Sequence, residues 1–264
     1  MLKVQRSRST RNAHFALAPR RANESNSAWI ARHAAADTVH ALLVGGTSTW
    51  DLRLRTAQSH MRDDLSQSHW SHVALLGPVA QRPERTRVYE IPLLPKRGLA
   101  TFPNTNGVLD SFLGDYDDAS TYPNLGLIVL PLPWPKVQNK VQEFKRQRTA
   151  IDALELHIAW LTFAWGVGRL NNPLYDQVGF ASAALLEYVA SALGYDLTPA
   201  FPSSSSCPEA IWQAASYWHE TPRTGPGDAP AHIGGAYVLG GAAAPVQTRG
   251  RTARRRATRS ASRP

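Results

Sequence analysis

Only one cysteine, Cys207, occurs in the 264-residue chain. That excludes an internal disulfide framework and any multi-cysteine zinc site. No apolar run approaches the ~18 residues that a membrane-spanning helix needs. The best stretch, Leu125 to Leu132, is strand-sized and broken by proline. A phosphate loop of the GxxxxGK[ST] type and a GxGxxG fingerprint are both missing, and Gly166-Val167-Gly168 lacks a preceding strand and a third glycine. No repeat with a period of 20–50 residues is visible. His60, His69 and His72 lie close in sequence without the paired spacing of a metal site, so no metal is expected.

What is present can fold. The chain is 43% hydrophobic and 19% charged, which excludes collagen, coiled coil and wholesale disorder. Its net charge of +9 is unevenly divided. Residues 1–25 carry six basic residues against Glu24, residues 249–264 carry seven arginines and no acid, and the middle is net −3. Basic tails of this kind contact polyanions non-specifically by releasing counterions. The expected organisation is a basic disordered segment over 1–25, a folded domain over 26–224 and a disordered Gly/Ala/Arg-rich tail over 225–264. The N-terminal segment lacks the 7–15-residue apolar core of a secretory signal. The expectation is a cytoplasmic protein of its producer, with any export through a specialised system.

Breakers and apolar runs outline the elements. Trp29, Ile30, His33 and Ala34 place a short helix within 26–37. Val39 to Val44 reads as a buried strand ending at Gly45-Gly46. Ser71 to Leu76 stops at Gly77-Pro78, and Arg87 to Ile91 stops at Pro92, an antiparallel pair around the loop 79–86. Residues 95–124, rich in Pro, Asn, Gly and Asp, read as an irregular excursion before a strand from Leu125. Val137, Val141 and Phe144, then Ile151, Leu154, Ile158 and Leu161, predict helical faces. Phe180 to Leu193 is the clearest helix, closed by Gly194. Ser206 and Glu209 have the spacing of a capping box.

One pair of residues carries chemistry. If the strands at 71–76 and 87–91 pair, alternation can put His72 and Glu90 on one face. A carboxylate beside an imidazole fixes its tautomer, which is what a general base beside a nucleophile requires. A solvated strand edge would use the same two residues without chemistry.

The run Trp70-Ser-His-Val-Ala-Leu-Leu-Gly, followed by Val88-Tyr-Glu-Ile, resembles the "SHVGIYLG … VxEA" signature of circularly permuted NlpC/P60 papain-like hydrolases, the group of the YiiX-like enzymes. Ala36 to Val44 looks like that family's "GDILL" strand, with Ala36 in place of glycine. Phe180-Ala-Ser-Ala-Ala-Leu-Leu resembles "F-C-S-x-L-V", the start of the nucleophile helix, and the stretch ending Ser206-Cys207-Pro208-Glu209 resembles "sPxDL". The resemblance covers roughly 36–215 and leaves 95–135 unassigned. It implies an α+β papain-like fold, a small antiparallel sheet packed against a nucleophile helix. It also implies a cysteine peptidase or amidase in which His72 is the base, Glu90 orients it and position 181 bears the nucleophile. The Cys–His chemistry it implies needs no organic cofactor.

Ala181 stands where the family has cysteine. Three explanations are open: a deliberately disarmed enzyme, a natural pseudoenzyme that binds without catalysis, or a nucleophile at Cys207. The resemblance implies a peptide, peptidoglycan or lipid-like substrate. A wall-directed toxin would add a delivery or immunity protein as partner, and an acyltransferase is the neighbouring alternative.

Overall fold

The computed structural model describes residues 15–94, 102–147, 153–166, 171–199, 201–220 and 235–240. Among these residues seven strands form one sheet: β1 (Phe15–Leu17), β2 (Val39–Gly45), β3 (His72–Leu76), β4 (Arg87–Glu90), β5 (Leu109–Phe112), β6 (Asn124–Leu130) and β7 (Gly235–Val238). Their spatial order is β1-β7-β6-β2-β3-β4-β5. The β1–β7 pair is parallel and every other pair antiparallel. Among the described residues seven helices accompany it: α1 (Asn26–His33), α2 (Thr49–Ala57), the single turn α3 (Phe102–Thr105), α4 (Trp134–Arg146), α5 (Ala153–Trp165), α6 (Ala181–Ser191) and α7 (Pro208–Glu220). The fold is α+β with a mostly antiparallel sheet.

The sheet divides the core. β2 is buried at every position because it lies between β3 and β6, with Ala41 opposite both Leu75 and Ile128. Ala41, Leu43, Val73, Leu75 and Tyr89 face the larger layer, which holds α6 and the apolar sides of α4, α5 and α7. Leu42, Val44, Ala74, Leu76 and Val88 face the smaller layer, against Trp29, Ile30, Leu113 and Tyr116. A strand whose two faces are both covered reads as a continuous apolar run, and that is how 39–44 reads. Among the described residues no helix is long and apolar enough to cross a membrane.

Several expectations need correction. Residues 15–25 are ordered: β1 pairs with β7, and Arg20 donates to Asn26 Oδ1 and to the carbonyls of Tyr122 and Pro123. The folded unit therefore extends into the expected basic tail at one end and to Gly240 at the other. Residues 1–14, 221–234 and 241–264 lie outside the described residues. Within the expected excursion, 95–101 also lies outside them, but β5 extends the sheet and the 3₁₀ turn Leu113–Tyr116 follows it. α5 turns Leu154 and Ile158 to solvent and buries Ala153, Leu156, His157, Trp160, Leu161 and Ala164. Its exposed side also carries large apolar residues, Leu154, Ile158 and Trp165, so apolar spacing does not mark the buried face. No capping box forms at Ser206. Its hydroxyl donates to Glu187, α7 starts at Pro208, and Glu209 accepts from Ser68 and Arg62.

Candidate functional site

His72 opens β3 and Glu90 closes β4. The register Leu75↔Tyr89, carried along the strands, sets Glu90 opposite Ala74 and leaves His72 diagonal to it on the same face. The contact is made: His72 Nε2 lies 3.0 Å from Glu90 Oε2. Glu90 is fully buried, and Tyr116 Oη donates to the same oxygen. Burial pushes the Glu90 carboxyl up, but hydrogen bonding and attraction from His72, aided by Tyr116, outweigh it and hold the group at about 2. An ionised carboxylate only accepts, so Nε2 carries a proton. The other ring nitrogen, Nδ1, makes no hydrogen bond among the described residues. The Tyr116 ring stacks 6.1 Å from His72, and burial followed by the Glu90 charge raises its phenol well above the ordinary value.

Position 181 is set by a separate device. Gly179 N–H donates to Ser204 O at 2.7 Å and Phe180 N–H to Ser206 O at 2.9 Å, pinning the chain just before α6. A Cβ on Gly179 would stand 2.4 Å from Ser206 O, so only glycine allows this approach. α6 then begins at Ala181 with Phe180 as its N-cap, and the first intrahelical bond is Ala184 N–H to Phe180 O. The amides of Ala181, Ser182 and Ala183 are among those a helix start leaves without an intrahelical acceptor. α6 packs on β3 with α4 and α5 beside it.

The two devices meet at a narrow cleft lined by Leu54, Ser71, His72, Ile91, Leu93, His157, Trp160, Phe180, Ala181 and Ser182. Their placement is asymmetric. The His72–Glu90–Tyr116 group lies on the sheet face that carries the smaller core layer, whereas α6 packs on the opposite face. His72 borders the cleft because it is the first residue of β3, where the sheet ends. Ser71, just before it, donates to Asp51 Oδ1 at 2.5 Å and ties this margin to α2.

Cys207 is elsewhere. It is buried at the start of α7, and burial pushes its thiol up to about 12. Cys207 is enclosed and is not among the residues that line the cleft, a placement that argues against it as the nucleophile. Sequence reasoning missed Tyr116, inside a stretch that reads as irregular, and Trp160 and His157, on a helix face that periodicity misassigned. His157 is buried, and burial brings its imidazole down to about 4. Among the described residues no group of three or more His, Cys, Asp or Glu is placed to hold a metal ion. No family model matches the chain, and neither a curated protein nor a solved structure matches it.

Proposed function

We propose that this chain is the scaffold of a papain-like thiol hydrolase of the permuted NlpC/P60 kind, inactive as it stands because position 181 is alanine. The observation that carries the reading is a single cleft bordered by His72, held by Glu90, and by position 181 at the start of an 11-residue helix. The order of histidine strand, glutamate strand and nucleophile helix adds to it. A cysteine at 181 would pass its proton to His72 Nδ1 and attack the carbonyl carbon of an amide or ester. N–H groups at the start of α6 would stabilise the oxyanion. His72 would return the proton to the leaving amine or alcohol, and water would release the acyl group as a carboxylic acid. The substrate class follows from the resemblance alone: a peptide or peptidoglycan amide, or an acyl ester or amide of lipid type.

The alanine itself favours a second reading, a binder that keeps the cleft without the chemistry. Ala181→Cys separates the two. On the hydrolase reading, the variant alkylates rapidly near neutral pH and gains turnover of p-nitrophenyl acetate. Adding His72→Ala abolishes both, and adding Glu90→Gln weakens them less, because the base remains while its orientation is lost. Alkylation at the rate of an ordinary thiol, unchanged by His72→Ala, would sink the hydrolase reading.

A further inference from the structure

A second imidazole borders the cleft and takes no part in the pairing of His72 with position 181. His157 lies on α5, is 1% exposed and lines the cleft together with Ala181 and Ser182. Its placement is fixed from one helical turn away. The Trp160 indole N–H donates to Gly179 O at 2.8 Å and to Val178 O at 3.2 Å, and its ring centroid lies 4.0 Å from that of Phe180. Residues three apart share a helix face, so tying Trp160 to residues 178–180 sets His157 beside the start of α6. α5 packs on α6 within the larger core layer, whereas His72 reaches the cleft from the other face of the sheet and gives Nε2 to Glu90. The cleft holds about 20 Å³, room for one water-sized group. The body of a substrate does not fit there, but the single oxygen of a carbonyl does. Burial brings the His157 imidazole down to about 4, so it is neutral near pH 7. A neutral imidazole offers one N–H without adding a charge to the pocket.

We propose that His157 is a catalytic residue of the hydrolase reading, its ring N–H donating to the carbonyl oxygen of the ester or amide beside the amides that start α6. When a thiolate at position 181 adds to the carbonyl carbon, the C=O π pair moves onto the oxygen. That oxyanion accepts from His157 and from the helix start, and no proton passes to it. The pair returns to rebuild C=O as the bond to the leaving amine or alcohol breaks, and His72 supplies the leaving group's proton. Water then attacks the acyl-thiol through a second oxyanion in the same place. The hydrogen bond strengthens as charge develops on the oxygen, which is why a donor fixed there speeds both steps. The inference rests on the hydrolase reading and gives its two imidazoles different tasks: His72 moves protons and His157 holds negative charge.

Alkylation and ester turnover separate those tasks, because iodoacetamide reacts with a thiolate by displacement and builds no oxyanion. The test uses the full chain carrying Ala181→Cys, with His157→Ala, His157→Gln and His157→Phe added singly and each fold checked by circular dichroism. His157→Ala should keep the alkylation rate within about twofold and cut kcat for p-nitrophenyl acetate about 100-fold, with KM changed less than about threefold. His157→Gln restores a neutral N–H donor and should regain at least about tenfold of that loss. His157→Phe keeps a ring without the donor and takes the place of alanine if the cavity left by alanine unfolds the chain. Full turnover in a folded His157→Ala or His157→Phe chain would overturn the inference and leave the hydrolase reading standing. Equal loss of alkylation and turnover would overturn it too, since His157 would then serve the thiol or the packing. An Ala181→Cys chain that alkylates like an ordinary thiol and turns nothing over defeats the hydrolase reading and this inference with it.

Discussion

Single residues show how burial sets chemistry here. The only native thiol, Cys207, is enclosed and held protonated. The folded chain should therefore leave Cys207 unlabelled by iodoacetamide at pH 8, and mass spectrometry should find the Ala181→Cys variant alkylated once, at 181. Labelling of Cys207 at the rate of a free thiol would contradict its placement. Glu187 is the opposite case, an acid raised by its surroundings. It lies inside α6, accepting from Thr198 Oγ1 at 2.6 Å and Ser206 Oγ at 2.9 Å. Burial, with Asp196 nearby, outweighs those bonds and lifts its carboxyl to about 6. A folded-state value above the unfolded one means the folded chain binds this proton more tightly. The associated stability is present below the ordinary carboxylate value and is lost as pH rises through about 6. Glu187→Gln keeps an acceptor for both hydroxyls and removes the titration. It should be about 1–2 kcal/mol more stable at pH 8 than the parent, and no more stable at pH 4, by urea denaturation.

At the scale of elements, the legible parts were those where local pattern and tertiary role agree. β2, β3 and β4 are apolar runs closed by Gly or Pro, and α4 and α6 carry an apolar stripe that the core then uses. β5 was not legible. Its sequence Leu-Asp-Ser-Phe has two solvent-facing residues and becomes a strand by pairing with β4, where Arg87 faces Phe112. The capping spacing at Ser206 was misleading because Glu187, distant in sequence, takes its hydroxyl. The junction before α6 is the element most exposed to a single change. Gly179→Ala would drive a methyl group into the backbone of Ser205 and Ser206. A loss of about 2–4 kcal/mol is expected, in the range of overpacked or strained sites. In the Ala181→Cys background it should also slow alkylation, since the helix start moves. A variant with the parental melting temperature would show that this approach is not constrained.

Across the whole molecule, the ends of the sheet are built by segments distant from the centre. β1 pairs with β7, and Arg20 reaches the carbonyls of Tyr122 and Pro123 while Arg32 and Glu24 join in an ion pair of 2.6 Å. Deleting residues 1–21 should therefore lower the melting temperature by several degrees, through the lost pairing and the part-buried hydrogen bonds of Arg20. An unchanged melting temperature by calorimetry would show that this edge contributes nothing. The positions of β2, β3, β4 and α6 could be read from the sequence, and the resemblance singled out His72, Glu90 and Ala181 as candidates. Each rests on local apolar spacing, on a breaker or on a short motif, and such signals act within a few residues. The pairing of His72 with Glu90 was also within reach, since strand alternation has a period of two. Only the tertiary structure decided that Tyr116 joins that pair and that Cys207 is enclosed. It also decided that α5 lends His157 and Trp160 to the cleft, and that the imidazole and α6 approach from opposite faces of the sheet. Those outcomes depend on which surfaces meet across 26 to more than 100 residues of chain, as with Tyr116 on Glu90 and Arg20 on Pro123. Side-chain burial and desolvation are properties of the packed layers, and no local stretch of sequence carries them.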